Sequence, residues 1–361
     1  MKKISLLVFV TLCWLSFAAG QIPAGYYDAA NGKTGEQLQS ALHEIIKNHT
    51  IVSYTPGVWN AFYTTDVKPN GTVWDMYSDI PDGTPNGHPL YIYNFGTADQ
   101  CGTAAQEGDC YSREHSWPKS WFGDIVPMNT DLFHIYPTDQ YVNNRRSDNP
   151  YGEVGSATWT SENGGMLGDC VTAGYSGTVF EPIDDYKGDL ARTYFYMSTR
   201  YYTEDAGWPG SDMVDGAQLK TWAIKMLLRW SIADPVSSKE SDRNEAVFQI
   251  QHNRNPFIDH PEFGNLVWGS PSGVSEEDNF ILPVYPNPVN DECFIQLPEG
   301  MTSMNSDVTV FSITGEKIKP ALSFGEHKIS LNLQDLAKGV YFFQLTNTKN
   351  SLVYRAKLMK E

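Results

Sequence analysis

Residues 112–118, SREHSWP, place a histidine directly after a glutamate, with an arginine before both. Two more polar runs follow in the same part of the chain, DLFHIYPTD at 131–139 and YVNNRRS at 141–147. Together the three runs hold carboxylates, imidazoles, amides and guanidinium groups, which are the side chains that acid–base and cation chemistry use. This region is therefore the candidate reactive centre of the chain.

The pair Glu114 and His115 suits the hydrolysis of a phosphodiester. That reaction needs a base to activate water, positive charge beside the phosphoryl oxygens, and stabilisation of the leaving oxygen. The Glu114 carboxylate and the Asn143 carbonyl are oxygen ligands for a hard cation such as Mg²⁺, and the His115 imidazole can accept a proton from water. Because neighbouring side chains on a strand point to opposite faces, the pair must lie at a strand end or a bulge to serve one site.

By residue type alone, the pair also fits an ordinary surface contact, with Asn143 and Asn144 ending a helix. The order of motifs favours a reactive site, because it resembles the endonuclease I family of secreted and periplasmic nucleases. The resemblance covers residues 25–268. It rests on the three runs above, on GDLARTYFYM at 188–197 and on NRNPFIDHPE at 253–262.

The resemblance implies a ββα-metal site that holds one Mg²⁺ ion, with Mn²⁺ and Ca²⁺ as open alternatives. Glu114 and Asn143 match the metal ligands, and His115 matches the general base that activates water. Cleavage would leave a 5′-phosphate and a 3′-hydroxyl. Two supporting residues, Asp131 and His134, are expected on the second strand of the motif. The full supporting set is Arg113, Asp131, His134, Asn144 and Arg145.

The sequence departs from the family pattern in several places. Family members carry an arginine between the histidine and the second strand that stabilises the phosphate in the transition state, but residues 116–144 contain none. We expect Arg146 to take that catalytic role, with Lys119 and Arg145 as alternatives. There are three further departures. Phe133 stands where the family has a histidine, and Gln140 and His252 each stand where the family has a glycine.

The first twenty residues have the pattern of a secretory signal peptide. Two lysines precede an apolar run at 4–17, and residues 18–20 are small, as a cleavage site requires. The run is shorter than the ~20 residues that cross a bilayer, and no later run is long enough. We expect the mature chain, from Gln21, to be secreted or held at the cell surface, without stable membrane insertion. Nothing in the sequence signals a dimer, so we expect a monomer.

The chain changes character near residue 270. Residues 269–279, GSPSGVSEEDN, are small, polar and acidic, which is typical of a linker. Before it, apolar periodicity predicts helices over 32–48, after Gly188, and from Leu219 to Trp230. After it, runs such as VTVFSI at 308–313 and GVYFFQL at 339–345 predict strands. We expect an α+β catalytic domain at 21–268 and a small all-β sandwich at 280–361.

Two motifs in the last domain are VYPNPV at 284–289 and LAKGVYF at 336–342. They resemble the C-terminal sorting domain of the type IX secretion pathway. The resemblance implies that the type IX machinery is a partner of this domain, and it leaves open whether the tail is cleaved. The alternative is an accessory β-sandwich that binds carbohydrate or another protein.

The net charge opposes a nucleic-acid substrate. The chain carries 26 Lys and Arg against 43 Asp and Glu, and residues 21–279 hold 16 of these bases and 35 of these acids, a net charge of −19. Such a surface repels a phosphate polymer at long range. Binding therefore requires a divalent cation and a local basic patch, for which the candidates are Arg113, Lys119, Arg145 and Arg146.

Two smaller features concern cysteines and histidines. In an oxidising compartment Cys101 and Cys110 can close a small loop beside the reactive region, while the full pairing, which also involves Cys170 and Cys293, stays open. His43 and His49 lie six residues apart. They therefore point about 120° apart on a helix and cannot share a metal ion. We expect a solvated helix end there.

The leading hypothesis is a secreted, metal-dependent endonuclease of low sequence specificity that acts on DNA, with RNA as a further candidate substrate and the preference between the two left open. One alternative is a glycoside hydrolase, whose activity would survive chelation of divalent ions. The other is an inactive extracellular protein that binds nucleic acid or glycan without cleaving it.

Overall fold

The structure is a computed structural model. It describes residues 22–81, 91–269 and, within 280–361, all except 283, 298–302, 304, 305, 314–316, 320, 326, 327 and 348–352. The predicted signal peptide and almost all of the predicted linker lie outside the described residues. The chain divides into two compact units, the first ending at Pro271 and the second beginning at Ser272.

The first unit combines helices with small antiparallel sheets. Its helices are α1 (Gly35–Ile46), α2 (Trp59–Thr65), α3 (Lys119–Phe122), α4 (Gln140–Arg146), α5 (Lys187–Arg200), α6 (Thr221–Ala233), α7 (Ser238–Gln251), α8 (Pro256–Asp259) and α9 (Glu262–Trp268). Its strands are β1 (Tyr111–His115), β2 (Ile135–Asp139), β3 (Val154–Thr160), β4 (Met166–Cys170), β5 (Thr178–Glu181), β6 (Val214–Asp215) and β7 (Gln218–Leu219). β1 pairs with β2, β4 lies between β3 and β5, and β6 pairs with β7.

Helix α5 is the centre of this unit, because every residue after its first is buried. Polar groups can be buried in this way only if each finds a partner. Arg192 donates to both carboxylate oxygens of Glu240, at 2.5 and 2.7 Å, and Tyr196 donates to Asp131 at 2.9 Å. The helix therefore connects α7 with the segment that precedes β2.

The predicted helices are present. α1 lies within 32–48, α5 begins one residue before Gly188, and α6 ends before Pro235. α6 begins after Leu219, because the backbone of Leu219 pairs with Val214 in the β6–β7 ladder instead of entering the helix.

The prediction of a solvated helix end at His43 and His49 was wrong. Both side chains are buried. His43 Nδ1 lies 3.2 Å from the carbonyl oxygen of Thr199, and His49 Nδ1 accepts a hydrogen bond from Arg200 Nε at 2.9 Å. The packing of α1 against α5 covers a region that an isolated amphipathic helix would expose.

Cys101 and Cys110 form a disulfide, with their Cα atoms 5.9 Å apart. Cys170 and Cys293 are buried free thiols. The disulfide closes the loop directly before β1, so the covalent link adjoins the strand that carries Glu114 and His115.

The second unit is all-β. Its strands are β8 (Phe280–Ile281), β9 (Val284–Tyr285), β10 (Glu292–Gln296), β11 (Ser306–Ser312), β12 (Lys317–Ile318), β13 (Ala321–Phe324), β14 (Lys328–Asn332), β15 (Gly339–Asn347) and β16 (Val353–Lys360). They form one sheet in the order β13-β14-β10-β9 and another in the order β12-β11-β15-β16-β8. Alternate side chains of both sheets share a single apolar core, which includes Ile295, Leu331, Phe343 and Leu358.

A mixed helix-and-strand unit followed by an all-β unit confirms the predicted order of fold classes. Within the ranges that the structure describes, no helix has both the length and the apolar character needed to cross a membrane.

Leu227→Ala tests the contribution of the α6 core face. Leu227 is fully buried, and truncating a buried leucine leaves a cavity that lowers the free energy of unfolding by about 2–5 kcal/mol. Ile232→Ala on the same helix is the matched control, because Ile232 is 55 % exposed. All ten tryptophans precede residue 270, so tryptophan fluorescence in a urea titration reports on the first unit alone. Equal urea midpoints for the two variants would contradict this assignment of the core.

Candidate functional site

Strands β1 and β2 bring the first two predicted site residues to one end of a two-stranded sheet. The strands are antiparallel, with Glu114 opposite Tyr136 and His115 opposite Ile135. His115 is the last residue of β1. The chain turns immediately after it, so the strand end required for adjacent side chains to share a site is present.

Helix α4 follows β2 without a loop and supplies the third residue. Asp139, the last residue of β2, caps the helix by accepting hydrogen bonds from the backbone N–H groups of Tyr141 and Val142, at 2.7 and 3.0 Å. This cap fixes the direction in which α4 leaves the sheet. It thereby fixes where Asn143, on the first turns of α4, lies relative to β1.

The three residues line one open cleft of about 410 Å³. The complete lining is Arg113, Glu114, His115, Pro118, Lys119, Ser120, Asn143, Asn144, Ser147 and Asp148. The structure thus places Glu114, His115 and Asn143 on the walls of a single cavity, with cations and carboxylates both represented.

Glu114 is buried and held through one oxygen. Its Oε1 accepts hydrogen bonds from Arg146 Nη1 at 2.7 Å and from the Tyr77 hydroxyl at 2.9 Å. No side chain among the described residues bonds to Oε2. Burial raises the pKa of Glu114, and the charge of Arg146 acts in the opposite direction. The carboxylate is therefore rigid on one side and available on the other.

His115 is oriented so that one ring nitrogen stays available. Its Nε2 lies 3.1 Å from the carbonyl oxygen of Asn129. A carbonyl only accepts hydrogen bonds, so Nε2 carries the proton of the neutral ring and Nδ1 keeps a lone pair. Burial lowers the pKa of His115 well below its usual value, and His134, Lys119 and Arg113 add to the effect. A neutral imidazole of this kind can accept a proton at neutral pH.

Asn143 is half-buried, and a single hydrogen bond orients its side-chain amide. Its Nδ2 donates to Ser112 Oγ at 3.2 Å. With the amide nitrogen used in this way, Oδ1 is left as the free end of the side chain. Ser112 lies on β1 two residues before Glu114, so the contact also joins α4 to the strand.

Arg146 does not occupy the position expected of a residue that contacts a substrate. Its side chain is fully buried, and Nη1 donates to Glu114 Oε1 while Nη2 donates to the carbonyl oxygen of Ser116 at 2.8 Å. The guanidinium lies 4.5 Å from the centre of the Tyr151 ring. Because Arg146 is enclosed beneath Glu114, its contacts are those of a residue that positions this carboxylate.

Asp131 and His134 lie behind the cleft and precede β2, whereas we expected them on the strand. Asp131 begins a 3₁₀ turn and accepts from the backbone N–H of Phe133 at 3.1 Å, which delays the strand to Ile135. It also accepts from the Tyr201 hydroxyl at 2.9 Å. Burial favours a raised pKa for Asp131, but nearby histidines and hydrogen bonds lower it overall. Asp131 is thus a buried carboxylate that orders this segment.

His134 packs directly against the candidate base. Its Nε2 lies 2.7 Å from the carbonyl oxygen of Met128, and its ring centre lies 5.3 Å from that of His115, nearly edge to face. The side chain is fully buried. His134 therefore limits how far the His115 ring can tilt.

Of the remaining predicted residues, Arg113 and Asn144 line the cleft and Arg145 does not. Arg113 lines the cleft half-buried, next to Tyr54. Asn144 is exposed and accepts from Gln140 Nε2 at 2.6 Å. Arg145 is exposed on α4 and donates to the Tyr141 hydroxyl, and it does not line the cleft.

Sequence reasoning missed Tyr77, whose hydroxyl joins the carboxylate of Glu114 to the hydroxyl of Tyr151, 2.6 Å away. The run WDMYSD at 74–79 stands apart from the three reactive runs. The chain has 20 tyrosines, so residue type alone did not distinguish this one. No signal in the sequence indicates its contact with Glu114.

Two family models match the chain. Residues 34–262 match the model described as Endonuclease I. Residues 283–361 match the model described as a secretion system C-terminal sorting domain.

Curated relatives cover most of the first unit. The chain is 36 % identical over 265 residues to an extracellular ribonuclease of Bacillus subtilis (strain 168), a match that spans 70 % of this chain and 83 % of the relative. It is 37 % identical over 250 residues to an extracellular ribonuclease of Bacillus amyloliquefaciens, spanning 67 % and 78 %. An Endonuclease-1 of Buchnera aphidicola subsp. Baizongia pistaciae (strain Bp) is 25 % identical over 172 residues, spanning 47 % and 59 %.

Arg146→Met tests the buried ion pair. Removing the guanidinium leaves Glu114 buried without a counter-charge, and breaking such a pair costs about 3–5 kcal/mol. Arg145→Ala, one residue earlier on α4, is the control, because its exposed side chain contributes within about 0.5 kcal/mol. The measurement is the thermal midpoint of tryptophan fluorescence. A midpoint for Arg146→Met that matches the Arg145→Ala midpoint would show that the pair does not stabilise the site.

Proposed function

Because the chain belongs to the endonuclease I family, we propose that it is a secreted nuclease that hydrolyses DNA and RNA with His115 as general base and one divalent cation at Glu114 and Asn143. The family and the extracellular relatives support the nuclease assignment. The C-terminal sorting domain makes the chain a secreted or cell-surface protein, and the type IX machinery is the partner that this domain implies.

The observation that carries the proposal is the convergence of Glu114, His115 and Asn143 on one cleft. Each side chain has one end held and the other free: Glu114 through Oε1, His115 through Nε2 and Asn143 through Nδ2. Preorganised groups of this kind lose little free energy to reorganisation during a reaction.

The free oxygens fit a hydrated hard cation. Glu114 Oε2 and Asn143 Oδ1 would hold it, and water would complete the shell, since Mg²⁺ keeps several waters in most protein sites. Among the described residues no three His, Cys, Asp or Glu side chains gather as metal ligands, so a zinc site of that composition does not arise there. When bound, the cation would supply positive charge to the phosphoryl oxygens.

His115 accepts the proton. Its Nδ1 takes a proton from a water molecule as the water oxygen attacks phosphorus, and the bond from phosphorus to the 3′ oxygen breaks. The departing 3′ oxygen keeps the electron pair of that bond and takes a proton from a second water molecule. The products are a 5′-phosphate and a 3′-hydroxyl. His134 and the carbonyl oxygen of Asn129 keep the ring in the required tautomer and orientation.

The two Bacillus relatives are named extracellular ribonucleases, which supports RNA as a candidate substrate beside DNA. The Buchnera relative is named an endonuclease, a term that covers both nucleic acids. The groups assigned above, the cation ligands Glu114 and Asn143 and the base His115, all address the phosphodiester and not the base edges that carry sequence, so we propose low sequence specificity.

Plasmid cleavage tests the reaction and its base together. Supercoiled plasmid and a structured RNA are incubated with the protein and Mg²⁺, with and without excess EDTA. We expect cleavage that EDTA abolishes, and a loss of about 10²–10⁴-fold in rate for His115→Ala. His260→Ala is the matched control, because His260 is a partly exposed histidine beside Glu262, and its rate should equal that of the unaltered protein. Intact substrates with Mg²⁺, Mn²⁺ and Ca²⁺ in turn would overturn the proposed function.

Tyr77→Phe tests the support of Glu114. Groups that orient a metal ligand typically contribute about 10- to 100-fold in metal affinity or activity, so half-maximal cleavage should need correspondingly more Mg²⁺ or the rate should fall by that factor. Tyr202→Phe is the control, since the Tyr202 hydroxyl also donates to a carboxylate, Glu36 at 2.6 Å, at an exposed position. Identical Mg²⁺ titrations for both variants would remove Tyr77 from the site.

A further inference from the structure

Arg113 is a cation that lines the same cleft as His115. The two residues are two positions apart on β1, so their side chains leave the same face of the strand. We propose that Arg113 is a catalytic residue that donates hydrogen bonds to the non-bridging oxygens of the scissile phosphate. This inference rests on the proposed function and assigns the cation that its transition state requires.

The guanidinium of Arg113 is held in place by neutral groups. Nη1 donates to the carbonyl oxygen of Tyr54 and, at 2.9 Å, to Thr55 Oγ1. The guanidinium carbon lies 3.5 Å from the centre of the Tyr54 ring and 4.4 Å from that of Trp59. Aromatic faces attract a guanidinium without neutralising its charge. Nη1 of the guanidinium is therefore fixed, and the other N–H groups of Arg113 have no hydrogen-bond partner among the described residues.

The charge of Arg113 is uncompensated. No carboxylate among the described residues lies within ion-pair distance of it, although the side chain is half-buried. A half-buried cation without a counter-charge is poised to bind an anion, and a phosphodiester in the cleft would provide one.

The other cations of the region are either paired with a carboxylate or lie outside the cleft. Arg146 is fully buried against Glu114. Lys119 Nζ forms an ion pair with Asp124 at 3.0 Å. Arg145 lies outside the cleft. Arg113 is thus the cation in this part of the chain that combines access to the cleft, a fixed orientation and an unneutralised charge.

The role is electrostatic and leaves the proton count of the reaction unchanged. Water loses a proton to His115 Nδ1, the bond from phosphorus to the water oxygen forms, and the bond to the 3′ oxygen breaks. The 3′ oxygen leaves with the bonding electron pair and takes a proton from a second water molecule. Negative charge on the non-bridging oxygens is redistributed during this step. Arg113 keeps all its protons and strengthens its hydrogen bonds as that charge develops.

The test measures kcat and KM for plasmid cleavage by the full chain with Mg²⁺. Arg113→Ala should lower kcat by about 10²–10³-fold, the usual loss when one preorganised donor is removed, with a smaller change in KM. Arg113→Lys should be intermediate, because lysine restores the charge without the fork. Arg229→Ala is the matched control, since Arg229 pairs with Glu153 at 3.0 Å away from the cleft lining, and its kcat should be unchanged.

Rescue separates a chemical role from a structural one. Guanidinium chloride, added far below the concentrations that unfold proteins, should restore part of the activity of Arg113→Ala and none of the activity of His115→Ala. A kcat for Arg113→Ala close to that of Arg229→Ala would overturn the inference. The inference would also be overturned if guanidinium restored none of the activity of Arg113→Ala and Arg113→Lys lost as much kcat as Arg113→Ala. If the unaltered protein fails to cleave with any divalent ion, the proposed function itself is wrong, which is a separate outcome.

Discussion

The buried ion pair between Arg146 and Glu114 is the constraint on which the site depends. A carboxylate enclosed by protein tends to take up a proton, because burial penalises its charged form. Arg146, at 2.7 Å, opposes that tendency in part, although the pKa of Glu114 stays raised, and at the same time it fixes Oε1. Arg146 and Asn143 lie three residues apart on α4 and so share a helix face. When α4 packs against β1, it therefore places the Arg146 guanidinium beneath the Glu114 carboxylate. The same packing places the Asn143 amide on the wall of the cleft that Glu114 also lines.

Charge acts differently at long and short range in this protein. The segment 21–279 carries a net charge of −19, yet its cleft contains cations. At physiological ionic strength, interactions between exposed charges are screened over about 8 Å, so distant carboxylates weaken encounter with a polyanion more than they weaken contacts inside the site. The half-buried guanidinium of Arg113 is screened less than the surface acids. An acidic secreted protein can therefore bind a phosphate group locally.

How far the site could be predicted varied from residue to residue. Glu114, His115 and Asn143 stood out because adjacent acid–base groups and a matched amide occur in a recognisable order, and the structure places all three on one cleft. Arg146 stood out as a cation, and its expected contact with the phosphate required an exposed side chain. The side chain is fully buried. Residue type does not determine burial, because burial follows from packing. Tyr77 carried no signal, since its contact with Glu114 joins segments 37 residues apart. Asp131 and His134 were expected on β2, but the hydrogen bond of Asp131 to the backbone of Phe133 favours a turn there.

The sequence by itself determined the order of the fold classes, the principal helices and the chemistry of the central motif. These features follow from local patterns: apolar periodicity, turn residues, and reactive side chains close together along the chain. Only the tertiary structure decided which oxygen of Glu114 is held, which nitrogen of His115 is free, and which arginine is enclosed and which faces the cleft. Those outcomes depend on contacts between distant segments, chiefly the docking of α4 and α5 against the β1–β2 pair, and a local pattern carries no information about which side chains that docking buries.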